Sequence, residues 1–103
     1  MEQHIQEFLH FIRIEKGLSN NTAAAYRRDL TLFSDFLKEQ GIREVTEIDR
    51  RAVLSYLIQI KRSGIHVSTV QRRLVSIRMF FRFLIQEGQI RSDPAENIES
   101  PKK

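Results

Sequence analysis

His10 and Arg13 are the residues that come nearest to a catalytic pattern, because H-x-x-R spacing occurs in enzymes that cleave DNA through a tyrosine. Tyr26, beside Arg27 and Arg28, offers a tyrosine. With three His and twelve Arg in the chain, however, the motif arises readily by chance, and no other group supports it. His10 lies in a short amphipathic segment and Tyr26 on an apolar stripe, so we expect both to be packing residues.

Other catalytic and ligand-binding patterns are missing from the sequence. There is no Gly-rich phosphate loop, no His and carboxylate pair at metal-ligand spacing, and no cysteine. We therefore expect no catalytic residue, metal, cofactor or small-molecule substrate in this part of the protein. No apolar run approaches the roughly 20 residues that cross a bilayer, and the first residues do not resemble a signal peptide. These features predict a cytoplasmic protein with no membrane partner.

Positive charge is concentrated in one stretch of the chain. Residues 50–86 contain eight basic residues and no acid, a charge of +8, whereas the remainder has nine bases and thirteen acids, a charge of −4. A positive block of this length attracts a polyanion, and the alternative is a solvated basic face. The eight residues are Arg50, Arg51, Lys61, Arg62, Arg72, Arg73, Arg78 and Arg82.

Helices must position these charges, because 103 residues with 41% hydrophobic content, two Pro and four Gly do not suit a turn-rich β protein. Apolar periodicity predicts an all-α fold, a compact bundle of four helices with a short C-terminal helical turn after Asp93-Pro94. We expect a domain over residues 1–98 and the start of a linker over 99–103. The predicted helices cover residues 2–16, 22–40, 50–62 and about 68–87.

Capping patterns mark the starts of the last two helices. Asp49, or Thr46 with Asp49, is the predicted cap of the third helix, and Ser68 with Gln71 has the S-x-x-Q spacing of a capping box. The third helix should be buried on most sides, because its apolar residues are Val53, Leu54, Leu57, Ile58 and Ile60.

The fourth helix presents its first turns as a binding surface. Ser68, Arg72, Val75 and Met79 should point outward, with Gln71, Arg82, Ser76 and Phe83 at the flanks. A helix N-terminus favours phosphate, and Gln and Arg can donate paired hydrogen bonds to base edges. The alternative is that Ser68 and Gln71 serve only as a cap. The second helix repeats the pattern more weakly, and its outward residues are Asn21, Ala24, Ala25, Arg28 and Thr31, with Arg27 at the flank.

Several segments together resemble the N-terminal core-binding domain of tyrosine recombinases of the XerC/XerD type. They are Glu15–Thr22, Tyr26–Leu30, Phe33–Leu37, Arg72–Leu84 and Asp93–Ala95, which follow the family order along essentially the whole chain. The Ile-Glu-Lys-Gly opening and the Asp-Pro-Ala-Glu-Asn-Ile ending are nearer to XerD than to XerC.

The resemblance implies a SAM-like helical domain that clamps one face of a recombination site, with its second and fourth helices in the major groove. It places ten residues near double-stranded DNA: Asn21, Thr22, Arg27, Arg28, Ser68, Thr69, Gln71, Arg72, Arg73 and Ser76. It also implies a bacterial, nucleoid-associated recombinase that resolves chromosome dimers and meets further protomers on DNA. Cleavage through a 3′-phosphotyrosyl intermediate would belong to a C-terminal domain beyond this chain, which we expect to be a non-catalytic monomer in solution.

A second hypothesis from a different class also fits the sequence. Met79 and Phe83, if exposed, could dock a protein partner, and the arginines would then serve only for solubility. Salt dependence distinguishes the two hypotheses, because an apolar docking surface is not expected to lose binding when salt is raised or when Arg72 is replaced by Ala.

Overall fold

Four α-helices and one 3₁₀ turn make up the computed structural model, which describes residues 1–101. The described residues contain no strand, so the predicted all-α bundle is confirmed. The elements are α1 (Glu2–Ile14), α2 (Asn20–Glu39), a 3₁₀ turn (Val45–Glu47), α3 (Arg50–Arg62) and α4 (Val67–Gln86).

Helices α2 and α4 form the centre of the bundle. Each contacts all three other helices, whereas α1 and α3 share no close backbone approach in the described part of the chain. Asp29 of α2 lies against Ser76 of α4, and Phe33 lies against Phe81 further along both helices. The two helices therefore run in the same general direction where they touch.

The core is rich in aromatic side chains. Phe8 of α1 packs against Phe80 and Phe83 of α4, with ring centroids 5.7 and 5.6 Å apart, and edge-on against Tyr26 at 5.8 Å. Full burial of one such ring stabilises the fold by about 1.5–3 kcal/mol. The packing role predicted for Tyr26 is therefore confirmed, but His10 is exposed, so a packing role for His10 is wrong.

Side-chain caps fix the starts of α2 and α3. Ser19 Oγ accepts a hydrogen bond from the amide of Thr22 at 3.2 Å, and Asp49 Oδ1 accepts one from the amide of Ala52 at 2.9 Å. Each cap satisfies one of the free amides in the first turn. The structure therefore confirms Asp49 as a cap, and it begins α2 two residues earlier than predicted.

The capping box predicted for α4 is wrong. His66 has the extended backbone of an N-cap, and its Nδ1 accepts from the amide of Ser68 at 3.1 Å. Ser68 is already inside the helix, with its hydroxyl 2.7 Å from the same His66 nitrogen. Gln71 does not return to the cap, because its amide Nε2 donates to the carbonyl of Pro101 at 2.6 Å.

Helix α3 is buried on one face rather than on most sides. Tyr56, Leu57 and Ile60 face the core, but Leu54 and Ile58 are exposed. The apolar sequence of α3 predicted burial on most sides, and that prediction is wrong because, in the described structure, α3 packs only against α2 and α4, which leaves its outer side in solvent.

The segment that follows α4 forms hydrogen-bonded turns, with no regular helix. Asp93 Oδ1 accepts from the amide of Ala95 at 2.8 Å, and the amides of Glu96 and Ile98 donate to carbonyls three residues earlier. Asn97 has a φ of 62°, which interrupts helical geometry. Ala95 and Ile98 are nevertheless buried against the core. Part of the linker predicted for 99–103 lies outside the described residues, and the linker stays a prediction.

Candidate nucleic-acid interface

The basic block of residues 50–86 is largely free of acidic partners in the structure. Arg72 is its only member with a carboxylate within ion-pair distance among residues 1–101. Arg73 and Arg78 are half-buried, and the other members are exposed. Two guanidinium groups contact the C-terminal segment, since Arg50 donates to the carbonyl of Glu96 and Arg78 to the hydroxyl of Ser100. The block therefore remains available to an anionic ligand.

Most of the ten residues predicted near DNA are accessible. Asn21 and Thr22 occupy the first turn of α2, and Ser68 and Thr69 the first turn of α4. In the list of all ten, Asn21, Thr22, Arg27, Arg28, Ser68 and Arg72 are exposed, Thr69, Gln71 and Arg73 are half-buried, and Ser76 is buried.

Ser76 does not flank the outward face as the sequence suggested. Its side chain is 3% exposed, and its hydroxyl donates to Asp29 Oδ2 at 2.7 Å. The reason is that α4 packs onto α2 along this side, where Asp29 meets it. A buried and satisfied hydroxyl has no donor or lone pair directed to solvent, so Ser76 is removed from the candidate interface.

The two arginines of α2 differ in their partners. Arg27 Nη1 lies 3.3 Å from Glu2 Oε1 in α1, and both side chains are about half exposed. Arg28 is exposed and has no carboxylate within ion-pair distance in the described structure. Exposed ion pairs are weak, so Arg27 can leave Glu2 to bind another anion, whereas Arg28 needs to break no ion pair in the described structure.

A polar cluster joins α2 to α4 beneath this surface, and the sequence analysis missed it. Asp29 is 1% exposed and receives a hydrogen bond from Arg72 Nη1 at 3.1 Å in addition to that from Ser76. The available signal was helical spacing, since position 29 falls on the apolar stripe of Tyr26, Leu30 and Phe33. A single carboxylate on a core-facing stripe indicates a buried charge with a cationic partner.

Tyr56 of α3 borders the same cluster. Burial raises the pKa of Tyr56 above its usual value of 10.0, and the negative charge of Asp29 adds to the rise, while the Arg73 guanidinium opposes it. The phenol oxygen of Tyr56 and Nε of Arg73 are buried, and neither has a hydrogen-bond partner in the described structure. The cluster therefore holds a neutral phenol at neutral pH.

The protein-docking patch proposed from sequence is absent, because Phe83 is buried. Its ring packs against Phe8 and Phe11, with centroids 5.6 and 5.2 Å apart, and Met79 is half-buried. Within residues 1–101, no helix is long and apolar enough to cross a membrane. The same residues form no group of three His, Cys, Asp or Glu arranged to hold a metal ion.

Comparison with known proteins identifies the family. Residues 5–88 match the model of the phage integrase N-terminal SAM-like domain. Tyrosine recombinase XerD of Oceanobacillus iheyensis is 39% identical over 104 residues, which is 100% of this chain and 35% of that protein. XerD of Staphylococcus aureus is 40% identical over 102 residues, which is 99% of this chain and 35% of that protein. XerC of Herpetosiphon aurantiacus is 36% identical over 102 residues, 99% of this chain and 33% of that protein.

The chain thus spans about a third of the length of the curated relatives it matches. The identities to XerD slightly exceed the identity to XerC, in the direction expected from the sequence. The family match covers most of the chain and includes α2, α3, α4 and nearly all of α1. This chain therefore belongs to the family of phage integrase N-terminal SAM-like domains, and over its whole length it is similar to part of tyrosine recombinases named XerD and XerC.

Proposed function

We propose that this domain binds double-stranded DNA at a recombination site and clamps one face of the duplex through α2 and α4. The observation that carries the proposal is the basic block of residues 50–86, in which one of eight cationic side chains has an acidic partner among residues 1–101. A surface of this kind concentrates phosphate around it.

The contacts to DNA are proposed to come from the first halves of the two central helices. Free amides in the first turns of α2 and α4 favour phosphate, and exposed arginines nearby supply charge. Gln71 would bind DNA through the amide hydrogen that Pro101 leaves free. The proposed contact residues are Asn21, Thr22, Arg27, Arg28, Ser68, Thr69, Gln71, Arg72 and Arg73.

The activity of the whole protein is part of the same proposal. The relatives are named tyrosine recombinases, and this chain spans about a third of their length. We infer that strand cleavage through a 3′-phosphotyrosyl intermediate lies outside these residues, and that the intact protein resolves chromosome dimers with other protomers on DNA. Its location would be the bacterial cytoplasm, at the nucleoid. The domain alone would bind DNA without cutting it, as a monomer.

The strength of binding should depend steeply on salt. Five phosphate contacts give a slope of log Kobs against log salt of roughly −4.5, because each contact releases condensed counterions. An apolar docking surface has no such dependence, so the slope separates DNA binding from protein docking.

The test is an NMR titration of the isolated domain with a duplex carrying a Xer-type site, at low and at moderate salt. Amide shifts should concentrate in residues 21–31 and 68–76 and weaken as salt rises. A scrambled duplex of equal length measures the share that depends on sequence. If no shifts occur at low salt, or if they are confined to the surface around Met79, the DNA-binding proposal is wrong.

A further inference from the structure

Asp29 is a buried carboxylate at the contact between the two helices proposed to bind DNA. Its side chain is 1% exposed on α2, and both groups that hydrogen-bond to it belong to α4. Burial of an ionised carboxylate is costly unless charge and hydrogen bonds compensate it. An apolar residue would fill the same position at no such cost, so the carboxylate calls for a role beyond packing.

Arg72 extends from this buried anchor to the surface. Nη1 donates to Asp29 Oδ2 at 3.1 Å, and Nη2 lies 3.1 Å from Oδ1, while the arginine side chain is 44% exposed. Only the contact of Nη1 is a hydrogen bond, because Asp29 Oδ1 is buried and accepts none in the described structure, although Nη2 lies close to it. A guanidinium has five N–H donors, so the Nε edge of Arg72 stays free to donate to a ligand.

Ser76 also holds the carboxylate in place. Its hydroxyl donates to Oδ2, the oxygen that also accepts from Arg72 Nη1, at 2.7 Å. Ser76, which holds the carboxylate, therefore lies one helical turn after Arg72, which the carboxylate anchors. This arrangement limits the rotamers open to Arg72 before any ligand arrives.

We propose that Asp29 is a positioning residue, which holds Arg72 with its Nε edge directed to bound DNA. The inference rests on the proposed function. Its benefit is that an oriented arginine loses less side-chain entropy when it binds phosphate or a base edge.

The sign of one substitution separates positioning from simple charge neutralisation. Asp29→Asn removes a negative charge beneath a DNA-binding surface, and on Coulomb grounds alone this strengthens binding. If Asp29 positions Arg72, the same substitution weakens binding, by about fivefold, because the guanidinium is no longer held. Asp35→Asn is the matched control, since Asp35 lies exposed on α2 and has no ion-pair partner in the described structure.

The experiment measures duplex affinity at one moderate salt concentration for wild type, D29N, D35N and Ser76→Ala. D29N should bind about fivefold more weakly, S76A about twofold more weakly, and D35N as well as wild type or slightly better. Arginine side-chain NMR without DNA gives an independent readout. Arg72 should show hindered rotation of its guanidinium in wild type and averaged signals in D29N. If D29N fails to fold, S76A and the wild-type spectrum decide the question.

Each result has a definite meaning. D29N binding equal to or tighter than wild type overturns the positioning role while leaving DNA binding intact. Freely rotating Arg72 in wild type also overturns it. If wild type shows no salt-dependent binding, the proposed function fails and this inference falls with it, even where the NMR signals show Arg72 held.

Discussion

Arg27 of α2 reaches Glu2 in the first turn of α1, with its Nη1 3.3 Å from Glu2 Oε1. The next residue, Arg28, has no such partner in the described structure. The two neighbouring cations therefore start from different states, one loosely paired and one free, and substitutions at or near them should affect DNA binding differently.

Arg28→Ala should weaken duplex binding about three- to tenfold at low salt and make the log–log salt slope less negative by about 0.9, because one phosphate contact is lost. Fluorescence anisotropy over a salt series measures both quantities. Lys38→Ala is the control, since Lys38 is exposed on the same helix and lies about 15 Å further along its axis. Equal effects of the two substitutions would contradict a localised interface on α2.

Glu2→Gln should release Arg27 and tighten DNA binding about twofold, with less than about 1 kcal/mol change in the free energy of unfolding, because exposed ion pairs are weak. Glu39→Gln makes the same change of charge on an exposed residue of α2 that has no ion pair in the described structure. The result to look for is a larger gain in affinity for E2Q than for E39Q. Identical gains would show that only net charge matters.

Phe83→Ala should lower the free energy of unfolding by about 3–5 kcal/mol, because it leaves a cavity where the ring meets Phe8 and Phe11. Ile85→Ala, on the exposed side of α4, should cost less than about 1 kcal/mol. Urea unfolding followed by circular dichroism measures both. If F83A lowers the free energy of unfolding by less than about 1 kcal/mol, Phe83 is not buried in the core, and the exposed docking residue suggested by the sequence becomes the better interpretation.

Asp49→Ala should destabilise the domain by about 1 kcal/mol, because the amide of Ala52 loses its side-chain acceptor at the start of α3. Asp35→Ala removes a carboxylate from the middle of α2, where no amide depends on it, and should change stability by less than about 0.5 kcal/mol. Thermal or urea unfolding compares them. Equal losses would mean that the cap contributes nothing specific.

Alkaline pH should destabilise the domain through Tyr56. Because burial raises the pKa of Tyr56 in the folded state, the unfolded chain ionises first as pH rises through about 10, and stability falls until the folded state also ionises. The fall is at most about 1.4 kcal/mol per pH unit for one group. Below pH 9 this contribution is fully present.

Tyr56→Phe isolates that effect, because it removes the phenol whose oxygen has no hydrogen-bond partner in the described structure. At pH 7 we expect a change in unfolding free energy below about 1 kcal/mol. Between pH 9 and 11 the variant should lose less stability than wild type. Parallel pH curves would show that Tyr56 titrates alike in both states.

The sequence carried enough information to predict the helices and most of the core, because apolar residues recur at helical spacing and Asp49 has a capping side chain. It failed where the answer depended on neighbours distant in the chain. Gln71 looked like half of a capping box, but its amide donates to the carbonyl of Pro101 instead, and Ser76 looked exposed although α2 covers it. For Leu54 and Ile58, composition could not reveal how few helices surround α3.

Asp29 was identifiable in part, since its position on an apolar stripe is visible in the sequence. The sequence did not show that Arg72, among the many cations, would be the ion-pair partner of Asp29, because that pairing depends on how α4 crosses α2. Which accessible residues meet DNA is likewise a matter of assembly with a partner, and it stays a prediction.

The central position of α2 and α4 has a consequence for cooperativity. In the described structure, helices α1 and α3 pack against α2 and α4 and not against each other, so the stability of each depends on the central pair being folded. A ligand held by α2 and α4 would favour the folded state of the whole bundle by mass action. Hydrogen exchange should therefore slow in all four helices when DNA is bound, even at amides of α1 that lie far from the duplex.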